Sequence, residues 1–240
     1  MTFDSELRKK LQILLGVALV LVGARTAYIL YGRYAERKRA EQPKTEHALK
    51  ADYYVTPKKL HPYDLKSARE LTRQPVWVKV GYYYTYYPYD VARRKAEFWD
   101  EAGTLRPLQK LSIQDVVTDA APQAVGINQV LARFQLDGKN YAVPIGFEQG
   151  GDFKIYSDDI FFIEDPHELY KHWPADVWKA IDNHEVRPGM SELQVICSIG
   201  GGVLDGSSTS FSRILHYANG GKPLTITYRD DKAVEIKTGS

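Results

Sequence analysis

The chain has 240 residues, 44% of them hydrophobic, so it is long enough to bury at least one full core. Its formal net charge of +2 gives no reason to predict nucleic-acid binding. The single cysteine, Cys197, excludes an internal disulfide, and no cysteine–histidine set has the spacing of a zinc site. We therefore predict no metal and no cofactor, and we interpret Cys197 as a small buried hydrophobic residue.

The first predicted element is a transmembrane anchor at residues 11–31, after a short tail at residues 1–10. This run, LQILLGVALVLVGARTAYILY, spans about 31 Å as a helix, enough to cross a hydrocarbon layer of about 30 Å. Arg25 lies near its end, where a long cationic side chain can reach the headgroups. Membrane lipid is thus one predicted partner. A cleaved signal peptide with its apolar core at residues 11–24 is the alternative.

The predicted side of the membrane for the remainder is extracytoplasmic. A basic N-terminal region that leads straight into the apolar run is typical of a signal-anchor. Counting positive residues on either side of the span favours the cytoplasm instead, so a cytoplasmic side stays open. Residues 32–51 are charged and are predicted to form a basic, solvated linker.

Residues 52–165 are predicted to form a small antiparallel β-barrel of SH3-like type, preceded by a short helix within residues 61–74. The stretch PVWVKVGYYYTYY, residues 75–87, is β-branched and aromatic and predicts one continuous strand. The plainest hairpin is NQVLARFQLDGKNYAVPIGF, because Asp137 and Gly138 form a turn pair that tolerates positive φ.

Residues 166–240 predict two helices followed by three strands, an ααβββ layer, so the predicted fold class is α+β. Pro174 suits the start of the first helix. Ser191 starts the second helix, and the glycines at 200–202 end it. The turns NGGK and RDDK join the three strands as short hairpin turns.

The stretches VRPGMSELQVICSIGGG and RILHYANGGKPLTITYRDDKAVEI resemble the BamE/SmpA/OmlA-like family, whose domains have this ααβββ order. The resemblance covers residues 178–238. It implies an envelope protein that binds other proteins and catalyses nothing. The chain departs from the family because it lacks a lipid-attachment cysteine and carries a barrel-like region ahead of the match. Only the idea of a protein-binding module therefore carries over.

The tyrosine-rich strand supplies the predicted binding surface. By alternation, Tyr82, Tyr84 and Tyr86 share the face that lines the barrel core. The other face carries the predicted partner-binding residues: Trp77, Tyr83, Tyr87 and Tyr89. An exposed row of tyrosines suits partner binding, since tyrosine offers contact area at low entropy cost. The alternative is that the helix at 63–73 and the loop at 93–101 cover both faces.

No convergent catalytic set is visible, and we predict a membrane-anchored, non-catalytic scaffold that binds a partner protein near the membrane. His167 and His172 are five residues apart and fall on different sides of a helix, which disfavours a metal site. The rival hypothesis is an envelope enzyme or enzyme inhibitor. It would act through the loop at 200–210 or through acidic residues at strand ends: Asp158, Asp159, Glu164, Asp165 and Asp205.

Overall fold

The computed structural model describes residues 23, 25–27, 31, 55–122, 124–208 and 212–239. The chain divides into two compact units, Met1–Tyr54 and Val55–Ser240. In the first unit the described residues (23, 25–27 and 31) are helical and exposed. The predicted tail at 1–10 and the predicted linker at 32–51 lie outside the described residues.

The predicted transmembrane helix at 11–31 is wrong, because no helix among the described residues is long and apolar enough to cross a membrane. Of that run, only residues 23, 25–27 and 31 are described. Arg25 falls inside the predicted span, and a charge within hydrocarbon opposes insertion by up to about 3 kcal/mol. The single-pass localisation and the signal-anchor interpretation, both of which depended on this helix, are corrected with it.

The described part of the second unit is mostly strand, arranged in three antiparallel sheets, and this corrects the predicted fold class. The N-terminal lobe is the part built around a seven-stranded sheet of residues 85–155. Its strands are β2 (Thr85–Asp90), β3 (Lys95–Ala96), β4 (Gly103–Thr104), β6 (Ile113–Ala120), β7 (Ile127–Leu136), β8 (Lys139–Gln149) and β9 (Asp152–Ile155). Their path in the sheet is β3-β2-β8-β7-β6, and in addition β4 pairs with β2 and β9 with β8.

Local signals in this lobe are confirmed. The hairpin between β7 and β8 turns at Asp137 and Gly138, with φ of 49° and 75°. The predicted leading helix is α1 (Leu65–Ala68), continued by a 3-10 segment, Arg69–Arg73. Asp64 caps α1 by accepting a hydrogen bond from the Ser67 amide. Residue types that favour one local geometry account for each of these elements.

The SH3-like barrel is not formed, because the tyrosine-rich stretch is two strands rather than one. β1 (Val76–Val78) ends before a turn at residues 79–83, and β2 begins at Thr85. β1 pairs with β5 (Lys110–Leu111) and β10 (Phe161–Phe162) in a separate three-stranded sheet. Among the described strands, no ladder joins β6 to β3, so the seven-stranded sheet stays open.

The C-terminal lobe is the part in which two main helices pack on a four-stranded sheet, all within residues 175–238, and the four strands lie side by side in chain order. Short helices α2 (Ser157–Ile160) and α3 (Pro166–Leu169) lead into it, and a 3-10 turn, Asn219–Gly221, joins β12 to β13. The main elements are α4 (Ala175–Asp182), α5 (Glu192–Ile199), β11 (Gly202–Leu204), β12 (Arg213–Tyr217), β13 (Leu224–Arg229) and β14 (Lys232–Thr238).

The predicted helix boundaries in this lobe are confirmed. Pro174 stands at the N-cap of α4. Ser191 accepts from the Gln194 amide, and the Gln194 side chain accepts from the Ser191 amide, which closes a capping box at α5. Gly200 ends α5 with φ of 87°. The strand count is not as predicted: the sheet has a fourth strand, β11, in the segment expected to be a loop. Cys197 is buried, as predicted.

The three-stranded sheet lies between two hydrophobic cores and contributes alternate residues to each. Val76, Val78 and Phe161 belong to the core of the N-terminal lobe. Phe162 belongs to the core of the C-terminal lobe, against which Trp77 is packed. Because successive strand residues face opposite ways, β1 and β10 connect the two cores directly.

Two buried tyrosines of the C-terminal lobe predict a loss of stability at alkaline pH. The hydroxyls of Tyr217 and Tyr228 lie 2.7 Å apart. Burial raises the pKa of Tyr217 to about 12, and burial together with the Tyr217 hydroxyl raises the pKa of Tyr228 further. The fold thus favours the neutral phenols. Their contribution is fully present below the unfolded pKa of about 10 and is lost as pH rises towards 12.

We expect the urea unfolding free energy to fall between about pH 10 and 12, and to fall less steeply in the Tyr217→Phe/Tyr228→Phe double variant. Removing both hydroxyls should change stability little at pH 7, since neither partner is left unpaired. Tyr63→Phe, at an exposed position, is the matched control. An equal alkaline slope in the wild type and the double variant would contradict the assignment.

Candidate functional site

The four predicted partner-binding residues do not form an exposed row. Tyr89 is only 5% exposed, and the Arg133 guanidinium lies 4.7 Å from the centre of its ring. Tyr87 is half-buried and meets Phe98 edge-on at 5.3 Å. The expected exposure fails because Phe98 and its neighbours, which follow β3, pack over this face. The covering loop at 93–101, the alternative interpretation, accounts for both residues.

Trp77 and Tyr83 have different surroundings. Trp77 is half-buried against the core of the C-terminal lobe, with the Lys110 ammonium 5.2 Å from its ring. Tyr83 is 56% exposed and is the one member of the predicted set that offers a broad aromatic surface to solvent. Of the three tyrosines predicted to face the core, Tyr84 and Tyr86 do pack against the core of the N-terminal lobe. The prediction is wrong for Tyr82, which lies in the turn between β1 and β2 and packs against Gly220 instead.

A glycine cradle holds the turn that carries Tyr82 and Tyr83. Tyr82 has φ of 66°, a left-handed conformation that is strained for a bulky residue. A side chain at Gly200 would lie 2.7 Å from the Gly81 carbonyl oxygen, and one at Gly201 would lie 2.7 Å from the Tyr83 ring. In the predicted 200–210 loop, Gly200 and Gly201 therefore pack against this turn.

The next residues of that segment form β11, an edge strand that sequence reasoning missed. The Asp205 amide donates to the Ile214 carbonyl, and the antiparallel register pairs Val203 with His216 and Leu204 with Leu215. Hydrogen-bonded pairs alternate along such a ladder, so Val203 bonds to β12. The backbone groups of Gly202 and Leu204 then point away from β12, towards the open edge.

The β11 edge carries exposed apolar side chains, and no described strand pairs with its outer side. Val203 is 65% and Leu204 56% exposed, and Tyr83 lies beside the adjoining Gly201. Proteins commonly protect an edge strand with lysine, proline or a bulge. β11 has none of these. A three-residue strand between glycines and an aspartate is too short for its pattern to have predicted this edge.

The opposite edge of the same sheet shows the contrast. β14 carries Lys232 and Lys237, and its register shifts beside Tyr228 in a bulge. Its Ala233 exchanges hydrogen bonds with the loop at residues 189–190. One edge of the sheet is thus charged and partly covered, while β11 is apolar and open.

Two of the predicted acidic residues, Asp158 and Glu164, bind residues 58–61, near the start of the second unit. The two carboxylate oxygens of Asp158 accept hydrogen bonds from the amides of Leu60 and His61, at 2.9 and 2.8 Å. Glu164 accepts from the Lys58 amide at 2.9 Å and pairs with the ammonium of the same lysine. These hydrogen bonds lower the pKa of Glu164. Both carboxylates serve the fold.

We expect Asp158→Ala to lower the unfolding free energy by about 1–3 kcal/mol, because two backbone amides lose a charged acceptor. Trypsin should also cleave after Lys58 and Lys59 faster than in the wild type. Asp159→Ala is the matched control, since Asp159 is exposed and accepts no hydrogen bond from a described residue. Equal rates of proteolysis in the two variants would contradict this role of Asp158.

A chain of hydrogen bonds on the outer face of the C-terminal sheet has the order hydroxyl, imidazole, carboxylate. Thr225 Oγ1 lies 2.9 Å from His216 Nδ1, and His216 Nε2 lies 2.7 Å from Asp205 Oδ2. Hydrogen bonds from Ser207 and His216 hold the pKa of Asp205 well below its usual range. His216 and Thr225 are a cross-strand pair on an open sheet surface. Nucleophilic catalysis also needs an enclosed site with oxyanion donors, so this chain of contacts is better explained as sheet pairing.

The predicted acidic residues do not converge. Asp158 and Asp159 line a hollow with Lys59, His61 and Tyr156, whereas Asp205 follows β11 and bonds to His216 of the C-terminal sheet. Within residues 55–122, 124–208 and 212–239, no group of three or more histidine, cysteine or acidic side chains could hold a metal ion.

No protein-family model, no curated protein and no solved structure matches this chain. The resemblance of residues 178–238 to the BamE/SmpA/OmlA-like family therefore stays a prediction. Any functional interpretation depends on the geometry of the chain itself.

Proposed function

We propose that this chain is a non-catalytic binding protein that accepts an extended segment of a partner protein along β11. The open, unprotected edge of β11 carries the proposal. The outward-pointing backbone groups of Gly202 and Leu204 can continue the sheet by main-chain hydrogen bonding, the mode known as β-augmentation.

The side chains around this edge suit the same occupant. Val203 and Leu204 project from opposite faces of the strand, and both are exposed. Tyr83, which the sequence predicted as a partner-binding residue, extends the apolar surface beside Gly201. A partner strand with apolar residues on both of its faces would bury Val203 and Leu204. The predicted resemblance to a protein-binding module agrees with this role.

The test compares capture of partner proteins by the wild type and two edge variants. Leu204→Pro removes an amide that points away from β12, so it should leave the existing ladder intact. Val203→Lys adds the charge that usually protects edges. We expect Leu204→Pro to weaken the partner complex about 10-fold, the effect of one main-chain hydrogen bond. Val203→Lys should weaken it by a similar factor, because it puts a charge where an apolar contact would form. Val234→Lys, on the opposite edge strand, should bind as the wild type does.

Hydrogen exchange separates this mode from binding elsewhere. In the complex, the amides of Gly202 and Leu204 should exchange more slowly than in the free protein, while exposed amides of β14 should not change. A partner that binds the Leu204→Pro variant as tightly as the wild type would sink the proposal.

A further inference from the structure

A cleft in the second unit, distinct from the β11 edge, has the features of an anion site. It has a volume of about 610 Å³, within the range of small-molecule sites. Two cations, Arg106 and Lys222, line it together with His184. Two tyrosines, Tyr82 and Tyr86, form part of its wall. The cleft is thus built from residues of both lobes.

The charge of this lining is one-sided. No carboxylate is among its lining residues, and neither Arg106 nor Lys222 forms an ion pair with another described residue. An adjoining hollow of about 480 Å³ shares Arg106 and His184 and does include two acids, Asp137 and Asp182. Asp182 already meets His167 Nε2 at 3.2 Å. Both acids thus lie on the Arg106 side, and the part of the cleft beside Lys222 is lined by a cation and no acid.

Further polar groups complement the cations. His184 Nδ1 lies 2.8 Å from the Ser198 carbonyl oxygen, which can only accept, so Nδ1 donates and Nε2 is left for a ligand. Thr104, Asn183 and Asn219 add a hydroxyl and two amides to the lining. These groups can bind the hydroxyls of a polar ligand.

A separate observation comes from the backbone at Tyr82. Its φ of 66° is unfavourable for a tyrosine, and strained conformations of this kind cluster at functional sites. The ring of Tyr82 packs against Gly220, where a side chain would come within 2.9 Å of it. The Tyr82 amide donates a hydrogen bond to the Leu105 carbonyl at 2.7 Å, which helps to keep this conformation. The fold thus keeps the Tyr82 ring in the cleft wall at a conformational cost.

We propose that this cleft binds a small phosphomonoester. A phosphomonoester carries about −1.5 to −2 charge at pH 7, which matches the two cations of the lining. The arginine guanidinium suits the planar, two-point recognition of phosphate oxygens, and the lysine ammonium supplies a point charge. The organic part of the ligand then lies against Tyr82 and Tyr86.

The experiment is calorimetric titration of the full chain at low ionic strength with ribose 5-phosphate, ribose, inorganic phosphate and succinate. We expect ribose 5-phosphate to bind at least about 10-fold more tightly than ribose, and more tightly than succinate or inorganic phosphate. Arg106→Ala and Lys222→Ala should each weaken it by about 10- to 100-fold. Raising the salt concentration should weaken it as well.

Two matched variants make the outcome specific. Lys95→Ala removes an exposed cation on β3, away from the cleft lining, and should bind as the wild type does. Leu204→Pro should also bind ribose 5-phosphate normally, so failure of the β11 proposal and failure of this one are distinguishable. Equal affinity for ribose and its phosphate, succinate binding as tightly as the phosphomonoester, or wild-type affinity in Arg106→Ala would each overturn the assignment.

Discussion

Replacing either Phe161 or Phe162 by alanine should lower the unfolding free energy by about 3–5 kcal/mol, and both variants should still unfold in a single transition. Each side chain is buried, so its removal takes away apolar contacts and leaves a cavity. The two residues are neighbours in β10, yet Phe161 packs in the N-terminal core and Phe162 in the C-terminal core. A cavity on either side of this sheet should therefore destabilise both lobes.

The measurement uses one probe for each lobe. Trp173 and Trp178 lie in the core of the C-terminal lobe, so their emission reports on that lobe. Hydrogen exchange of peptides from β7 and β8 reports on the N-terminal lobe. Both phenylalanine variants are made in a Trp99→Ala protein, so that Trp99 adds no emission. Trp99 is exposed, and its replacement should change stability by less than about 0.5 kcal/mol. The result against this prediction has two parts in Phe161→Ala: the midpoint of the tryptophan emission transition is unchanged, and the amides of β7 and β8 exchange faster than in the parent protein. Together they would show that the lobes unfold separately.

Elements that depend on local chemistry could be predicted from the sequence. Asp137 and Gly138 both accept positive φ, so the turn between β7 and β8 follows from two residues. Ser191 and Gln194 satisfy each other's amides across one helical turn, which sets the start of α5. Period-two alternation likewise placed Tyr84 and Tyr86 towards a core.

Elements that depend on distant residues could not be predicted in this way. The split between β1 and β2 requires the turn at Gly81 to meet Pro107 and Gly200, which lie far from it in sequence. β11 is three residues long, and only its ladder with β12 makes it a strand. The predicted tyrosine row failed for the same kind of reason, since the covering Phe98 belongs to a loop with no strong pattern.

The candidate sites follow the same division. Tyr83 could be predicted from the sequence, because aromatic residues on alternating positions indicate an aromatic face of a strand. Arg106, His184 and Lys222 come from three separate segments, and only the packing of the two lobes places them around one cleft. No spacing within one segment could have indicated that set.

The turn between β1 and β2 leads to the second large prediction: Gly81→Ala should lower the unfolding free energy by about 3 kcal/mol or more. An added Cβ would overlap the ring and backbone nitrogen of Pro107. A proline ring has no rotamer that moves it away, so the backbone itself must shift. The Tyr82 amide bond to the Leu105 carbonyl, and the close approach of Gly200 to the Gly81 carbonyl, both oppose that shift.

Gly206→Ala is the matched control, because a side chain there meets no atom within 4 Å. For a unit of this size, 3 kcal/mol corresponds to a fall in melting temperature of about 6–12 °C, and the control should stay within about 2 °C of the wild type. The turn also positions Tyr82 in the cleft and Tyr83 beside β11. A Gly81→Ala protein that melts with the wild type would mean that the turn adapts freely, and the strain at Tyr82 would then lose its meaning as a sign of function.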